Sequence, residues 1–336
     1  MQKDHHRVLV TGGAGFLGHH LIKYILEKTD WDIVSLDRLD VSGNLNRIHE
    51  ILSANPGQEN RLKIVFHDLK APINEFIAKE IGHVDYVVHM AASSHVDRSI
   101  EDPRSFVLDN VLGTCNLLEW ARFHKPLKKF INFSTDEVYG PAPAGYAHKE
   151  GEPHRPSNPY AASKSGQETL GYSYFVTYGF PMITTHTMNN FGERQHPEKL
   201  IPKSIRSILQ GEEMPIFAEL NDVGDLEAVG SRYWIYGEDT ASAVVFLLRE
   251  GVVGEEYNII GFDELSNLEI AEKVSNFIGK ELRPKFVDFH KTRPGHDRRY
   301  ALDGSKLAKL GWKPEVGFEE GLLRTVDFTI NNERWS

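Results

Sequence analysis

Along the first half of the chain, short apolar runs alternate with amphipathic stretches. The runs Val8–Thr11, Asp32–Leu36, Leu62–Phe66, Tyr86–His89, Phe130–Phe133 and Met182–His186 are rich in valine, isoleucine and aromatic residues. That composition marks strands buried on both faces. Between them, residues 15–28, 72–80, 103–123 and 159–178 carry helical spacing. Repeated strand–helix–strand units with right-handed crossovers predict an α/β fold, a doubly wound parallel sheet of the Rossmann type. Past residue 190 the rhythm changes. Helical patterns recur at Leu200–Gln210, Gly237–Leu248, Leu268–Ile278 and Phe318–Asn331, with short strands between them. The expected organisation is a sheet domain over residues 1–190, to which 237–260 return, and a smaller C-terminal α/β lobe made mainly of residues 191–336.

Two stretches break the pattern. Residues 141–157 hold Pro141, Pro143, Pro153 and Pro156 with two glycines, and predict a loop near the strand ends. Asn221–Gly230 is polar and acidic, and also predicts a loop.

The bulk composition narrows the function classes. A net charge of −10 lacks the basic footprint of a nucleic-acid binder, so no nucleic-acid partner is expected. One cysteine, Cys115, excludes an intrachain disulfide and fits a reducing compartment. Met1–His6 is polar, without the apolar core of a signal peptide, and no apolar run reaches the ~20 residues that cross a bilayer. A soluble, cytoplasmic protein without a membrane partner is expected. Sixteen histidines show no close metal-ligand spacing, and no metal is expected.

The first apolar run leads into Thr11-Gly12-Gly13-Ala14-Gly15-Phe16-Leu17-Gly18 and then an amphipathic segment. Strand, glycine turn and helix in that order let a pyrophosphate approach the backbone of Gly12, Gly15, Phe16, Leu17 and Gly18 and meet the helix N-terminus. A glycine pattern alone is weak; its strand-before, helix-after setting strengthens it. About 20 residues on, Asp37 ends the second run, where a carboxylate accepts bonds from ribose hydroxyls and repels a 2′-phosphate. This favours NAD over NADP, with Arg38 beside it able to soften the preference. Asp68 and Leu69 end the third run; Asp68 either meets the adenine edge or simply caps its loop.

Tyr160-Ala161-Ala162-Ser163-Lys164 sets a phenol and an ammonium one helical turn apart. A phenol titrates near pH ~10, so a neutral-pH base needs nearby positive charge, which Lys164 and a nicotinamide can supply.

Together, Thr11–Gly18 and Tyr160/Lys164 resemble the extended short-chain dehydrogenase/reductases. Ser134-Thr135-Asp136-Glu137-Val138-Tyr139-Gly140 narrows the resemblance to the dTDP-glucose 4,6-dehydratases, as do His95–Ile100, Asn189–Gly192, Pro197–Pro202 and Arg293–Tyr300. The likeness runs from about residue 7 to 315. It implies NAD on the sheet domain, a nucleoside-diphosphate hexose on the smaller lobe, and a homodimer joined through the helices at 103–123 and 159–178, for which Leu117, Leu118 and Ala121 offer apolar faces that serve equally as core.

The reaction implied is a hydro-lyase reaction. Removing water across C5 and C6 of glucose requires an acidic C5 proton, and oxidation of C4 to a ketone makes it acidic. The resemblance gives Tyr160 the C4 hydroxyl proton, assisted by Thr135 and Lys164, Glu137 the C5 proton, and Asp136 the protonation of the departing C6 hydroxyl. The two carboxyls must then titrate differently. In isolation, Asp136-Glu137 reads as two solvated loop carboxylates; a strand end in an open α/β sheet makes the catalytic reading stronger.

The resemblance also places His95, Asn189, Lys199, Leu200, Arg232, Arg293 and His296 around the substrate, with Arg232 at the diphosphate, whose oxygens suit a guanidinium fork. His95 reads equally as an internal histidine, and Arg298 and Arg299 as a solvated basic stretch. Ser93, Asp40–Asn44, the long 218–230 segment and Ser231-Arg232-Tyr233-Trp234 depart from the family pattern and leave thymidine against uridine open. A sugar-nucleotide 4-epimerase or UDP-glucuronate decarboxylase needs Tyr, Lys and NAD but no acid at C6, so Asp136 is the discriminating residue. A non-catalytic NAD-binding protein has no use for the full Thr135, Asp136, Glu137, Tyr160 and Lys164 set.

Overall fold

The computed structural model of the protein describes residues 5–124, 127–220, 226–261, 263–288 and 299–335. Its main sheet has seven strands, all parallel: β1 (Arg7–Thr11), β2 (Asp32–Asp37), β3 (Leu62–Phe66), β4 (Tyr86–His89), β5 (Lys129–Thr135), β6 (Met182–Thr187) and, at one edge, Glu256–Ile259. From that edge strand the order runs β6-β5-β4-β1-β2-β3. The chain therefore reverses direction of travel between β1 and β4, and the carboxyl ends of those strands form the crevice where open α/β sheets bind ligands.

Alternating side chains divide between two cores. Val8, Val10 and Ile33 face a cluster with Leu21, Ile22, Ile25, Val244 and Leu248, while Leu9, Val34 and Leu36 face one with Leu117, Leu118 and Phe130. Burial on both faces is why these strands read as continuous apolar runs. Helix α1 (Phe16–Lys28) packs against the helix Gly237–Glu250, which leads into the edge strand.

The sequence reading missed α2 (Leu45–Ala54), although Leu45, Ile48, Ile51 and Leu52 stand at helical spacing, and the six-residue α4 (Val96–Glu101). Helix α3 (Glu75–Ile81) lies where 72–80 predicted one, and α5 is the single turn Pro103–Phe106. The stretch expected as one helix over 103–123 is broken: a single turn, Pro103–Phe106, gives way to π-helical Val107–Leu112 and then α6 (Gly113–Phe123). In the widened turn, buried Asn110 donates to Ser93 O at 3.0 Å and Ser163 Oγ at 2.8 Å, bonds that tie it to the site. The expected loop at Asn221–Gly230 is corrected in part: after β7 (Asn189–Phe191), Leu226–Ala228 pairs antiparallel with Ala218–Leu220 of β8 (Met214–Leu220). Leu226 and Glu227 are exposed, so no alternation betrayed the hairpin, and 221–225 lie outside the described residues.

Two small sheets build the rest. Ser231–Tyr236 lies between Asn189–Phe191 and Asp263–Ser266, and β8 lies between Leu226–Ala228 and Pro284–Asp288. Phe191, Ile201, Ile205, Trp234, Ile270 and Leu322 share a separate core. Among the described residues, no helix is long and apolar enough to cross a membrane.

Two glycines set the turn after β1. Gly12 has φ +73°, and a Cβ on it would lie 2.9 Å from Ala91 Cα. A Cβ on Gly18 would lie 2.1 Å from Gly12 O, backbone that has no room to retreat. Gly18→Ala should therefore destabilise the chain by about 1–3 kcal/mol, read by urea or thermal unfolding; an unchanged midpoint would mean α1 can move off the turn freely.

Candidate active site

β5 ends at Thr135 and continues into one tight turn, Asp136–Tyr139. Thr135 Oγ1 accepts the Glu137 N–H at 3.4 Å and donates to Asp136 Oδ1 at 2.9 Å. Opposite, helix α7 (Pro159–Tyr178) starts where Asn158 caps it, accepting the Ala161 N–H at 2.9 Å, with Pro159 in the first turn. The Asn158 amide also donates to Glu137 Oε2 at 3.0 Å, and the Tyr300 hydroxyl donates to the same oxygen at 3.4 Å. The Tyr160 N–H donates to Ser99 Oγ of α4 at 3.1 Å, and the phenol is hydrogen-bonded to Thr135. Thus Thr135, Asp136, Glu137 and Tyr160 converge at one strand end.

The neighbouring carboxyls have unequal surroundings. Asp136 is 3% exposed, and its Oδ2 has no hydrogen-bond partner among the described residues. Burial, then the Glu137 charge, push its pKa up to about 7, against a smaller opposing pull from Thr135 and Arg232. Glu137 is half-buried and receives the two donors just named.

Tyr160 departs from the expected behaviour. Burial and then Glu137 raise its pKa, and only the Thr135 hydrogen bond draws it down appreciably. Lys164 is buried with its ammonium directed elsewhere, donating to Phe133 O and Gln167 Oε1, both at 2.6 Å. Burial lowers its pKa to about 8, with Glu168 pulling the other way. Lys164 therefore fastens α7 to β5.

Across β4, at the end of β1, the glycine turn meets α1. Gly15 precedes the helix in an extended conformation, and no side chain among the described residues caps the first turn. Its N–H groups suit a pyrophosphate. Phe16 rests edge-on against His20 at 5.2 Å, and Leu17 packs on the core. Asp37, buried at the end of β2, accepts the Ala14 N–H at 3.0 Å and the Leu39 N–H at 2.8 Å. Burial raises its pKa from the ordinary value. Asp68 accepts the Lys70 N–H at 2.9 Å, the loop-capping role, and Leu69 packs into the core. Arg38 is held by Asp40 and Asp109, each at 2.5 Å, and does not stand free beside Asp37.

Three supports escaped the sequence reading. Arg47 is 4% exposed and donates to Ala14 O at 2.9 Å, Ser42 O at 2.7 Å and Arg194 O at 2.9 Å, which clamps the glycine turn. His89 sits between Thr11 Oγ1 and Thr114 Oγ1, both at 2.8 Å, and burial lowers its pKa to about 3, so it is neutral. Asn158 bridges α7 and Glu137; an Asn-Pro helix start was its only signal in the sequence.

On the other lobe, Asn189 pairs with Trp234, Lys199 is the residue before helix α8 (Leu200–Gln210), and Leu200 packs on its core. The Arg232 guanidinium lies over the Tyr300 ring at 4.5 Å, and its charge acts on Asp136. His95 Nε2 is 3.4 Å from Glu198 Oε2, and its buried Nδ1 has no partner among the described residues. Arg293, His296 and Arg298 lie outside the described residues. Arg299 binds Glu264 at 2.6 Å and is a structural tie.

Residues 9–325 match the model of the family described as GDP-mannose 4,6 dehydratase. The chain is 41% identical over 326 residues to the low-salt glycan biosynthesis protein Agl12 of Haloferax volcanii, covering 97% of this chain and 99% of that protein. It is 38% identical over 350 residues to a dTDP-glucose 4,6-dehydratase of Haemophilus influenzae, covering 97% and 98%. Among solved structures, DesIV, a dTDP-glucose 4,6-dehydratase from Streptomyces venezuelae with NAD and TYD bound, superposes with a TM-score of 0.87 at 36% identity over 98% of each chain. A UDP-glucose 4-epimerase of Thermus thermophilus in complex with NAD gives 0.83 at 30% identity, covering 96% of this chain and 98% of that one. With its seven-stranded parallel sheet and a match spanning nearly all of its length, this chain belongs to the GDP-mannose 4,6 dehydratase family of extended short-chain dehydrogenase/reductases.

Proposed function

We propose that the protein converts dTDP-glucose to its 4-keto-6-deoxy product. At the coarser level it is an NAD-dependent nucleoside-diphosphate-sugar 4,6-dehydratase, a hydro-lyase. One observation carries the dehydratase reading: a buried carboxyl, Asp136, with an unpartnered oxygen and a pKa raised to about 7, stands beside a second carboxyl and a phenol. An epimerase has no step that needs such an acid. The relatives named dTDP-glucose 4,6-dehydratase support the thymidine nucleotide.

The residues at the end of β1 and β2 fit NAD: an uncapped helix start, a turn of three glycines and Ala14, and Asp37 with carboxylate lone pairs left for ribose hydroxyls. Gly12, Gly15, Gly18 and Asp37 would hold it, with Tyr160 and Lys164 at its reactive end. Bound there, it supplies oxidation at C4, reduction at C6 and the positive ring charge that a raised Tyr160 needs to give up its proton.

The chain's own residues handle the protons. Tyr160 takes the proton of the C4 hydroxyl while Thr135 holds that oxygen. Glu137 removes the C5 proton and gives a proton back to C5 when C6 is reduced; Asn158 and Tyr300 steady its carboxylate. Asp136, which burial raises to about 7 so that a large share of it keeps its proton near neutrality, delivers that proton to the leaving C6 hydroxyl. Arg232 binds the diphosphate, Lys199 and Leu200 lie along the nucleotide, Asn189 meets the sugar or phosphate region, and His95 lines the remaining substrate surface. In this reading residues 1–190 carry the cofactor and 191–336 mainly the sugar nucleotide.

We propose further that two copies associate. Leu117, Leu118 and Ala121 are core, not interface. The outward residues of the same helices, Val107, Leu112, Tyr172 and Val176, are exposed apolar side chains that a second copy would cover.

Incubation with dTDP-glucose should yield a 4-keto-6-deoxy sugar by mass spectrometry, with turnover on UDP-glucose at least tenfold slower. A product that keeps its C6 oxygen would refute dehydration, and equal turnover of both would refute the nucleotide assignment. In single turnovers, Tyr160→Phe should slow C4 oxidation about 10²–10⁴-fold with NAD still bound. Asp136→Asn should spare that oxidation, and reduced cofactor should accumulate. Because only protonated Asp136 acts as the acid, wild-type elimination should be full below its pKa of about 7 and decline above it; a rate that climbs through that range would remove Asp136 from the role. Light scattering should give twice the 38.1 kDa chain mass, and a monomer would end the dimer proposal.

A further inference from the structure

Behind the strand end that carries Thr135, three segments bring together side chains that the dehydration does not use. His154 comes from the proline-rich loop, Glu168 from α7 and His186 from β6. One ligand atom from each lies within 4.8 Å of the others. Both imidazole Nε2 atoms are directed at one carboxylate oxygen: Glu168 Oε2 is 2.8 Å from His186 Nε2 and 3.4 Å from His154 Nε2. Glu168 and His186 are almost wholly enclosed, and His154 is partly exposed.

We propose that His154, Glu168 and His186 form a binding site for a divalent transition metal of the zinc type. Two imidazoles and one carboxylate are a common donor set for that ion, leaving a fourth position open. Tetrahedral bonds of 2.0–2.1 Å place ligand atoms about 3.3 Å apart; the carboxylate oxygen already lies 2.8 and 3.4 Å from the two imidazoles, and the imidazole nitrogens, within 4.8 Å of each other, would close on the ion as it enters. One remote nitrogen is held as a metal-bound imidazole requires: His154 Nδ1 lies 2.8 Å from Ser165 Oγ. The Tyr139 hydroxyl lies beside the His186 ring, 3.2 Å from Nδ1 and 3.4 Å from Nε2. A cavity of about 160 Å³, lined by His154, Glu168, Thr169, Tyr172, Thr184 and Glu256 among others, adjoins the donors and gives the ion and a fourth, solvent ligand a way in.

Such an ion would be a structural clamp. It would tie the loop, helix and strand that surround the end of β5, while Glu168 Oε1 still accepts the Ser134 hydroxyl immediately before Thr135. Binding to the folded state alone raises stability with metal concentration.

The test uses the NAD-loaded protein, treated with EDTA and then titrated with Co²⁺ or Zn²⁺. Co²⁺ should produce visible d–d bands that saturate at one equivalent, and Zn²⁺ should raise the unfolding temperature by several degrees. His154→Ala, at a partly exposed position, should fold normally and lose both responses; His186→Gln should do the same. A wild-type protein with neither the bands nor the temperature shift would overturn the proposal and leave the trio as a proton-held network. Equal Co²⁺ binding by His154→Ala would overturn it too, by placing the metal elsewhere.

Discussion

The carboxyl end of β5 is a place where charge is costly, and most of the proposed chemistry follows from that. Asp136, Tyr160 and Lys164 are each enclosed there, and burial is the largest influence on all three. It moves each towards its neutral form: the carboxyl and the phenol up, the ammonium down. For Asp136 this is what an acid working near neutrality requires. For Tyr160 it is an obstacle, because a neutral phenol does not remove a proton until a positive charge arrives. The same enclosure therefore prepares the elimination and makes the oxidation wait for cofactor. In the proposed mechanism the base therefore acts only in the loaded enzyme.

Enclosure alone would not keep two adjacent carboxyls distinct. Asp136 and Glu137 are separated by what surrounds them: Thr135 meets one oxygen of Asp136 and leaves the other unpartnered, whereas Asn158 and Tyr300 both donate to Glu137. Asn158 also starts α7, so the residue that fixes the helix carrying Tyr160 fixes the neighbouring base as well. Ser99 holds the backbone of Tyr160, and Asn110 in the widened π turn reaches Ser93 and Ser163. Each link uses a side chain to join elements distant in sequence, and so the site is rigid although it lies where strands end.

How much of this could be read from residues alone divides along physical lines. Six strands of the main sheet were legible because burial on both faces makes them largely apolar, while the edge strand Glu256–Ile259 was expected only within a returning 237–260 segment; the glycine turn was legible because steric demand at Gly12 and Gly18 leaves little alternative. Thr135, Asp136, Glu137, Tyr160 and Lys164 stood in local motifs. The direction in which Lys164 points was not legible: spacing put it one turn from Tyr160, but its ammonium finds Phe133 O and Gln167. Arg47 and His89 escaped because their partners are backbone or hydroxyl groups scattered along the chain. His154, Glu168 and His186 escaped for the same reason; no spacing rule unites a loop, a helix and a strand. The hairpin at Leu226–Ala228 escaped because an exposed pairing needs no apolar alternation.

The departures from the family pattern acquire a common explanation near the cofactor. Ser93 donates to Asp109 at 2.6 Å, Asp109 binds Arg38, and Asp40 binds Arg38 from the other side. Asp68 lies 3.7 Å from the same guanidinium. Two of the unusual positions, Ser93 and Asp40, thus belong to one network whose centre is the arginine after Asp37. A guanidinium already matched by two close carboxylates has little charge left for a 2′-phosphate, and an added phosphate would face Asp37, Asp40, Asp68 and Asp109 together. In the proposed reading, discrimination against a 2′-phosphate rests on the carboxylates around Arg38, with Asp37 among them. In the proposed reading these two positions act at the cofactor end of the crevice, and the lobe that carries Lys199 and Arg232 binds the sugar nucleotide.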